Sequence, residues 1–125
     1  MKVAAMTRVL YIEDDRANIA LIRRYLSGQE WDLIEAPDGG SGIILAVGAI
    51  PDVILLDIYL PDMHGIEVAD QIKAIPLLAN IPVIALTTDD SIDLKNECLA
   101  HGFAAVLHKP VRPQNLLNTI QHISI

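Results

Sequence analysis

The chain predicts an α/β fold: a doubly wound, five-stranded parallel sheet with helices on both faces. Three observations carry that expectation. Short apolar runs alternate five times with amphipathic stretches, and strand–helix alternation folds as a parallel sheet because its crossovers are right-handed. Two runs, Val53-Ile-Leu-Leu-Asp57 and Val83-Ile-Ala-Leu-Thr87, are almost wholly apolar, as strands buried on both faces must be. The 125 residues, 52% hydrophobic and 20% charged, suit one domain with a packed core.

The first strand is Arg8 to Ile12, broken by Glu13-Asp14-Asp15. Arg16 to Ser27 follows as a helix, with Ile19, Ile22 and Leu26 at helical spacing and Gly28 as its stop. Trp31 to Ala36 is a short second strand on which Trp31, the one tryptophan, packs at the start. Gly39 to Ile50 reads as a helix with Ile43, Val47 and Ile50 on one face. After the third strand, Ile66 to Ile75 carries Val68, Ile72 and Ile75 in a stripe. The fourth strand precedes a weak helix from Ile92 to His101, ended near Gly102. Phe103 to His108 is the fifth strand, and Pro113 starts a last helix with Leu116, Ile120 and Ile123 in register.

Composition excludes several function classes. Sixteen acids against nine bases give a net charge of -7, the wrong sign for nucleic-acid binding through phosphates. A single cysteine, Cys98, rules out an intrachain disulfide framework and a cysteine zinc site. Charges or prolines interrupt every apolar stretch before membrane-spanning length. Residues 1–6 form a leader without the apolar centre of a signal peptide. The expectation is a cytoplasmic domain over residues 7–125, with neither nucleic acid nor membrane as partner.

Ligands in such sheets bind beyond the carboxyl ends of the strands, at the switch in strand order. Strand one ends in Glu13, Asp14 and Asp15, strand three in Asp57, strand four in Thr87 and Thr88, and strand five in Lys109-Pro110. Carboxylates crowded about 4 Å apart repel by roughly 4 kcal/mol at an effective dielectric near 20. A hard divalent cation relieves this, and an oxygen-only set favours magnesium. Lys109 and the Thr87 hydroxyl suit a dianionic group beside that cation. Together these residues make a phosphoryl site with Asp57 as candidate nucleophile. Each alone has a plainer reading as turn, cap or solvated loop; the joint placement at four strand ends is what points to chemistry.

Leu10-Tyr-Ile-Glu-Asp-Asp15, Ile54-Leu-Leu-Asp-Ile58, Leu60-Pro-Asp-Met-His-Gly65, Val83-Ile-Ala-Leu-Thr87 and His108-Lys-Pro110 together resemble the receiver domain of bacterial two-component response regulators, in the single-domain, chemotaxis-regulator-like form. The likeness covers about Thr7 to Ile125. It implies a flavodoxin-like strand order 2-1-3-4-5 and a phosphorelay function. Asp57 would accept a phosphoryl group from a phosphohistidine on a histidine kinase or histidine phosphotransfer protein. Asp14 and Asp57 would hold Mg²⁺ with the Tyr59 carbonyl, and Glu13 would act largely through a metal-bound water. Thr87 and Lys109 would contact the phosphoryl oxygens, and the Lys109–Pro110 bond would be cis. The receiver would catalyse its own phosphorylation and dephosphorylation. Phosphorylation would draw Thr87 inward and reshape the face of the fourth helix, fifth strand and fifth helix toward a downstream protein. Partner choice would lie on the first helix, around Arg16, Asn18, Arg23 and Arg24.

The chain departs from the family pattern at three places. Val106 stands where an aromatic ring is usual, and His108 and Val111 flank Lys109-Pro110 atypically. These bear on transmission of the signal, not on Asp57, so the output face is expected to respond by a different or weaker rearrangement. Tyr59 and Thr88 border the approach of hydrolytic water, and a bulky Tyr59 ring would slow hydrolysis. The four histidines, His64, His101, His108 and His122, show no metal-ligand spacing. Gly39-Gly40-Ser41-Gly42 resembles a phosphate loop but lacks the Walker lysine, so helix entry and close packing are the better reading. Cys98, on a stripe with Leu94, reads as packed.

Two other classes compete. A haloacid-dehalogenase-type phosphatase would want a second acid two residues after the nucleophile, where this chain has Tyr59. A flavodoxin-like electron carrier would want a Ser/Thr/Gly phosphate loop where Glu13-Asp14-Asp15 would repel FMN. The chain ends near the end of the fifth helix, so no output domain is expected. That leaves a stand-alone receiver, a domain excised from a hybrid kinase, or a receiver that acts by binding alone.

Overall fold

The computed structural model describes residues 6–28 and 31–123; the expected leader, apart from Met6, lies outside the described residues. Five strands, β1 (Thr7–Ile12), β2 (Trp31–Ala36), β3 (Val53–Asp57), β4 (Val83–Thr87) and β5 (Ala105–His108), alternate with α1 (Arg16–Leu26), α2 (Gly39–Ala49), α3 (Gly65–Lys73), α4 (Ile92–Ala100) and α5 (Pro113–Ile123). A 3-10 turn over Pro76–Leu78 was not expected; it follows α3 where Pro76 stops helical propagation. All strand pairs are parallel, in the order β2-β1-β3-β4-β5. The chain reverses direction across the sheet between β1 and β3, so the strand-order switch lies there.

Alternation along each strand divides the core in two. Leu10, Ile12, Ile54 and Leu56 face α2, α3 and α4, where Val68, Ile72, Leu94 and Cys98 complete one buried cluster. Val9, Tyr11, Val53 and Leu55 face α1 and α5 and pack with Ile22, Leu26, Leu116 and Ile120. Every residue of β3 and β4 is buried, as apolar runs in the middle of the sheet require. Trp31 packs at the start of β2, and Cys98 is buried beside Leu94.

One helical face is corrected. Val47 and Ile50 of the α2 segment are 46% and 47% exposed, and the buried residues are Gly39, Gly42 and Ala46. Apolar residues ring this segment on all sides, so periodicity could not select a face, and backbone approach did. A Cβ on Gly42 would stand 2.5 Å from the Ile12 side chain, so only glycine lets α2 lie this close to the sheet. Ile75 likewise falls beyond the end of α3, half-buried against the same core.

Candidate functional site

The site lies where β1, β3, β4 and β5 end. Ile12 pairs with Leu56 and Asp57 with Leu86, which puts Glu13 and Asp14 beside Asp57, and Thr87 one position past its neighbour. Thr87 pairs with His108, so Lys109 follows directly from the next strand. Carboxylate oxygens of Glu13, Asp14 and Asp57 all lie within 4.8 Å of one another. Among the described residues this is the one group of acids and histidines spaced for a metal ion.

The three consecutive acids after β1 are held differently. Asp15 is the N-cap of α1, accepting from the Ala17 N–H at 2.8 Å and the Asn18 N–H at 3.2 Å, so the plainer reading holds for it. Asp14 is exposed at the rim. Glu13, only 1% exposed, turns inward: its Oε1 accepts from the Tyr11 hydroxyl, from Asn18 Nδ2 and from the Lys109 ammonium. The same ammonium lies 3.3 Å from Asp57 Oδ1. The Lys109–Pro110 bond is cis.

Electrostatics follow from this crowding. Burial, reinforced by Glu13, pushes the Asp57 carboxyl up to about 6, against the pull of Lys109. Burial also opposes ionisation of Glu13, but its interaction with the Asp57 carboxyl and with Lys109 outweighs it and holds Glu13 below its ordinary range. Tyr11 is raised well above the ordinary phenol value by burial and by Glu13 beside it. Three carboxylates meet one ammonium, an all-oxygen, over-charged donor set that a small hard cation fits.

Two loops frame the cluster. Gly65, at the start of α3, has no room for a side chain: a Cβ would meet the Ile58 Cα at 2.7 Å and the Asp57 carbonyl at 2.8 Å. Asp62 reaches across to α2 and accepts from the Gly39 and Gly40 N–H groups, each at 2.8 Å, which holds its carboxyl below the usual range. The glycine-rich segment is thus a helix entry, with a carboxylate of the chain itself at its N-terminus. Tyr59 is 52% exposed, and its hydroxyl donates to Asp89 Oδ2 at 2.7 Å, tying the loop after β3 to the loop after β4. The Asp89 N–H donates to Thr87 Oγ1 at 3.1 Å. Thr88 is exposed, and its carbonyl lies 3.0 Å from His108 Nε2.

Two other histidines have posts away from the acidic cluster. His64 caps α3, its Nδ1 accepting from the Ile66 N–H at 3.1 Å, and His101 pairs with Asp70 on the surface. The expected partner face on α1 needs correcting at one residue, Asn18. Half-buried Asn18 points to Glu13, whereas Arg23 stays exposed while donating to Glu35 at 2.8 and 2.7 Å. Arg16 and Arg24 are exposed. Around Val106, a hollow of about 190 Å³ is lined by Thr87, Asp89, Ser91, Lys95 and His108.

Tyr11, Asp62 and Asp89 were not singled out from the sequence. The signal for Tyr11 was present, since residues two apart on a strand share a sheet face. Asp62 and Asp89 act across loops, and nothing local marks their partners.

Known proteins agree with this architecture. The family profile described as response regulator receiver domain matches residues 9–121. Protein PilH of Pseudomonas aeruginosa is 31% identical over 118 residues, 94% of this chain and 98% of that protein. Response regulator PleD of Caulobacter vibrioides is 32% identical over 104 residues, 83% of this chain, which spans only 23% of PleD's length. The structure of Vibrio cholerae chemotaxis protein CheY4 superposes with a TM-score of 0.90 at 30% identity, covering 95% of this chain and 99% of that one. The receiver domain of the Pseudomonas aeruginosa sensor histidine kinase PA1611, solved with magnesium in its active-site cleft, gives a TM-score of 0.87 at 27% identity over 96% and 98% of the chains. No described helix is long and apolar enough to cross a membrane. With the sheet order, the acidic cluster at its switch point and a match over nearly the whole length, the chain belongs to the receiver domains of two-component response regulators.

Proposed function

We propose that residues 7–125 form a phosphoacceptor switch in which Asp57 takes a phosphoryl group from a phosphohistidine of a histidine kinase or histidine phosphotransfer protein. The observation that carries this reading is the buried Asp57 carboxylate with the Lys109 ammonium 3.3 Å away and two further acids around it. An Asp57 oxygen forms the new bond to phosphorus as the phosphorus–nitrogen bond of the donor breaks. The electron pair stays on the imidazole nitrogen, which takes a proton from solvent. Lys109 and the Thr87 hydroxyl meet the charge on the transferred oxygens. Fixed donors of this kind stabilise developing charge without reorganising at the moment of reaction.

Asp14 and Asp57, with the Tyr59 carbonyl and Glu13, are the residues that would hold Mg²⁺, which supplies charge neutralisation for an incoming dianion. Hydrolysis reverses the capture: water attacks phosphorus, and Asp57 leaves as the carboxylate. The phosphorylated form would present its α4–β5–α5 face to a downstream protein.

Intact mass after incubation with acetyl phosphate and Mg²⁺ tests the reading. One phosphoryl group is expected on the unmodified protein, and none when Mg²⁺ is chelated or in Asp57→Asn. Uptake that survives Asp57→Asn would overturn the assignment. Binding of beryllofluoride without any phosphoryl gain from acetyl phosphate or from a phosphorylated histidine phosphotransfer protein would favour action by binding alone.

A further inference from the structure

Tyr11 and Asn18 have no part in the chemistry described so far, yet both end on the same oxygen of the site. Tyr11 lies two residues before Glu13, so both side chains take the α1–α5 side of the sheet. It is 1% exposed, and its hydroxyl donates to Glu13 Oε1 at 3.0 Å. Asn18, on the first turn of α1, donates to that oxygen from Nδ2 at 3.2 Å, and the Lys109 ammonium is the third donor there. The other oxygen, Oε2, accepts the Asp14 N–H at 3.2 Å and, more distantly, the Asp15 N–H at 3.4 Å.

Five donors therefore converge on one carboxylate, which offers about four lone-pair sites. A carboxylate held by so many donors has little freedom to turn away from the site. Among those donors is the Lys109 ammonium, held between Glu13 and Asp57. An ammonium on a four-carbon stem is otherwise a mobile point charge, and here a buried anchor removes that mobility.

We propose that Tyr11 and Asn18 are positioning residues for phosphoryl transfer: they fix Glu13 as the buried anchor that stations Lys109 beside Asp57. This rests on the phosphoacceptor reading of Asp57 and gives Glu13 a second duty beside the water-mediated one the family resemblance implies. Tyr11→Phe removes a single hydroxyl, and Asn18→Ala alters only a half-buried helix side chain, so two independent variants approach the same oxygen.

The test compares the unmodified protein with both variants in two measurements that need no phosphoryl donor and one that does. Hydrogen exchange of the Lys109 ammonium, followed by nitrogen-15 NMR, should be slow in the unmodified protein and accelerate in each variant. The Mg²⁺ half-saturation point, from amide shifts, should move by less than about twofold, because the cation's own ligands are untouched. The rate of phosphoryl gain from acetyl phosphate at saturating Mg²⁺ should fall about tenfold, the scale of losing one hydrogen bond to a charged, positioned group. Unchanged Lys109 exchange in both variants would overturn the proposal. So would a Mg²⁺ half-saturation point that shifts in step with the rate, since the variants would then act by weakening cation binding rather than through Lys109. If the unmodified protein takes no phosphoryl group, the phosphoacceptor reading fails by itself, while Lys109 exchange and the Mg²⁺ titration still decide the anchor.

Discussion

Asp57 carries a cost that the chain accepts for its position. Its carboxyl is pushed up to about 6 by burial and by Glu13, above the ordinary aspartate value. A carboxyl whose folded pKa exceeds its unfolded pKa binds more protons in the folded state through the interval between them. In metal-free protein this residue's contribution to stability therefore falls as pH rises from about 4 to about 6. Asp57→Asn removes the penalty and is expected to raise unfolding stability at pH 7 without Mg²⁺ by on the order of 2 kcal/mol, with the gain fading toward pH 4. Urea denaturation of both proteins across that range checks it; equal stabilities at pH 7 would refute it. Tyr59 invites a second experiment. Its ring is held at the mouth of the site by the bond to Asp89 and by an edge contact with His64, ring centroids 5.6 Å apart. Tyr59→Ala is expected to shorten the phosphoryl lifetime severalfold by opening the path of water. An unchanged decay of the phosphorylated mass peak would dispose of the shielding role.

Helix ends and loops show where local sequence was legible and where it was not. Asp15, Asp38 and Ser91 cap α1, α2 and α4 with the side-chain chemistry expected of N-caps. His64 does the same for α3 with a ring nitrogen, which no capping preference suggests. The face of α2 was misread because Ile43, Ile44, Leu45 and Val47 surround it with apolar residues, and glycine contacts decided which side met the sheet. The same helix ends badly: Ile50 takes the left-handed conformation, φ 46° and ψ 68°, in which a β-branched side chain is strained. Ile50→Gly is expected to stabilise the protein by about 1 kcal/mol, because glycine takes this conformation without a Cβ clash. A chemical-denaturation midpoint that stays or falls would show that the 47%-exposed Ile50 side chain makes contacts worth more than the strain.

Across the whole molecule, the proposed phosphorylation at Asp57 would be read at the α4–β5–α5 face. The connection would run through Thr87, whose hydroxyl accepts the Asp89 N–H; Asp89 in turn accepts from Tyr59 and from the Ser91 N–H at 2.9 Å, next to the start of α4. At Val106 there is a hollow rather than a ring. Amide shifts on beryllofluoride binding are therefore expected to concentrate in residues 87–95 and to be small around residue 106. A full response at Val106 would show the missing ring to be unimportant. The sequence by itself determined the sheet, its helices and the acids, hydroxyl and ammonium at four strand ends, because period-two and period-3.6 patterns and strand-end position are local properties. Tertiary structure decided what those residues do to one another. Glu13 became an anchor for Lys109 because Tyr11 and Asn18 close on it, and Asp62 became a cap for α2 across 23 positions of chain. Asn18 was read as part of an outer face and turned inward for the same reason. Hydrogen bonds of this kind depend on distances that only packing of the two layers against the sheet creates.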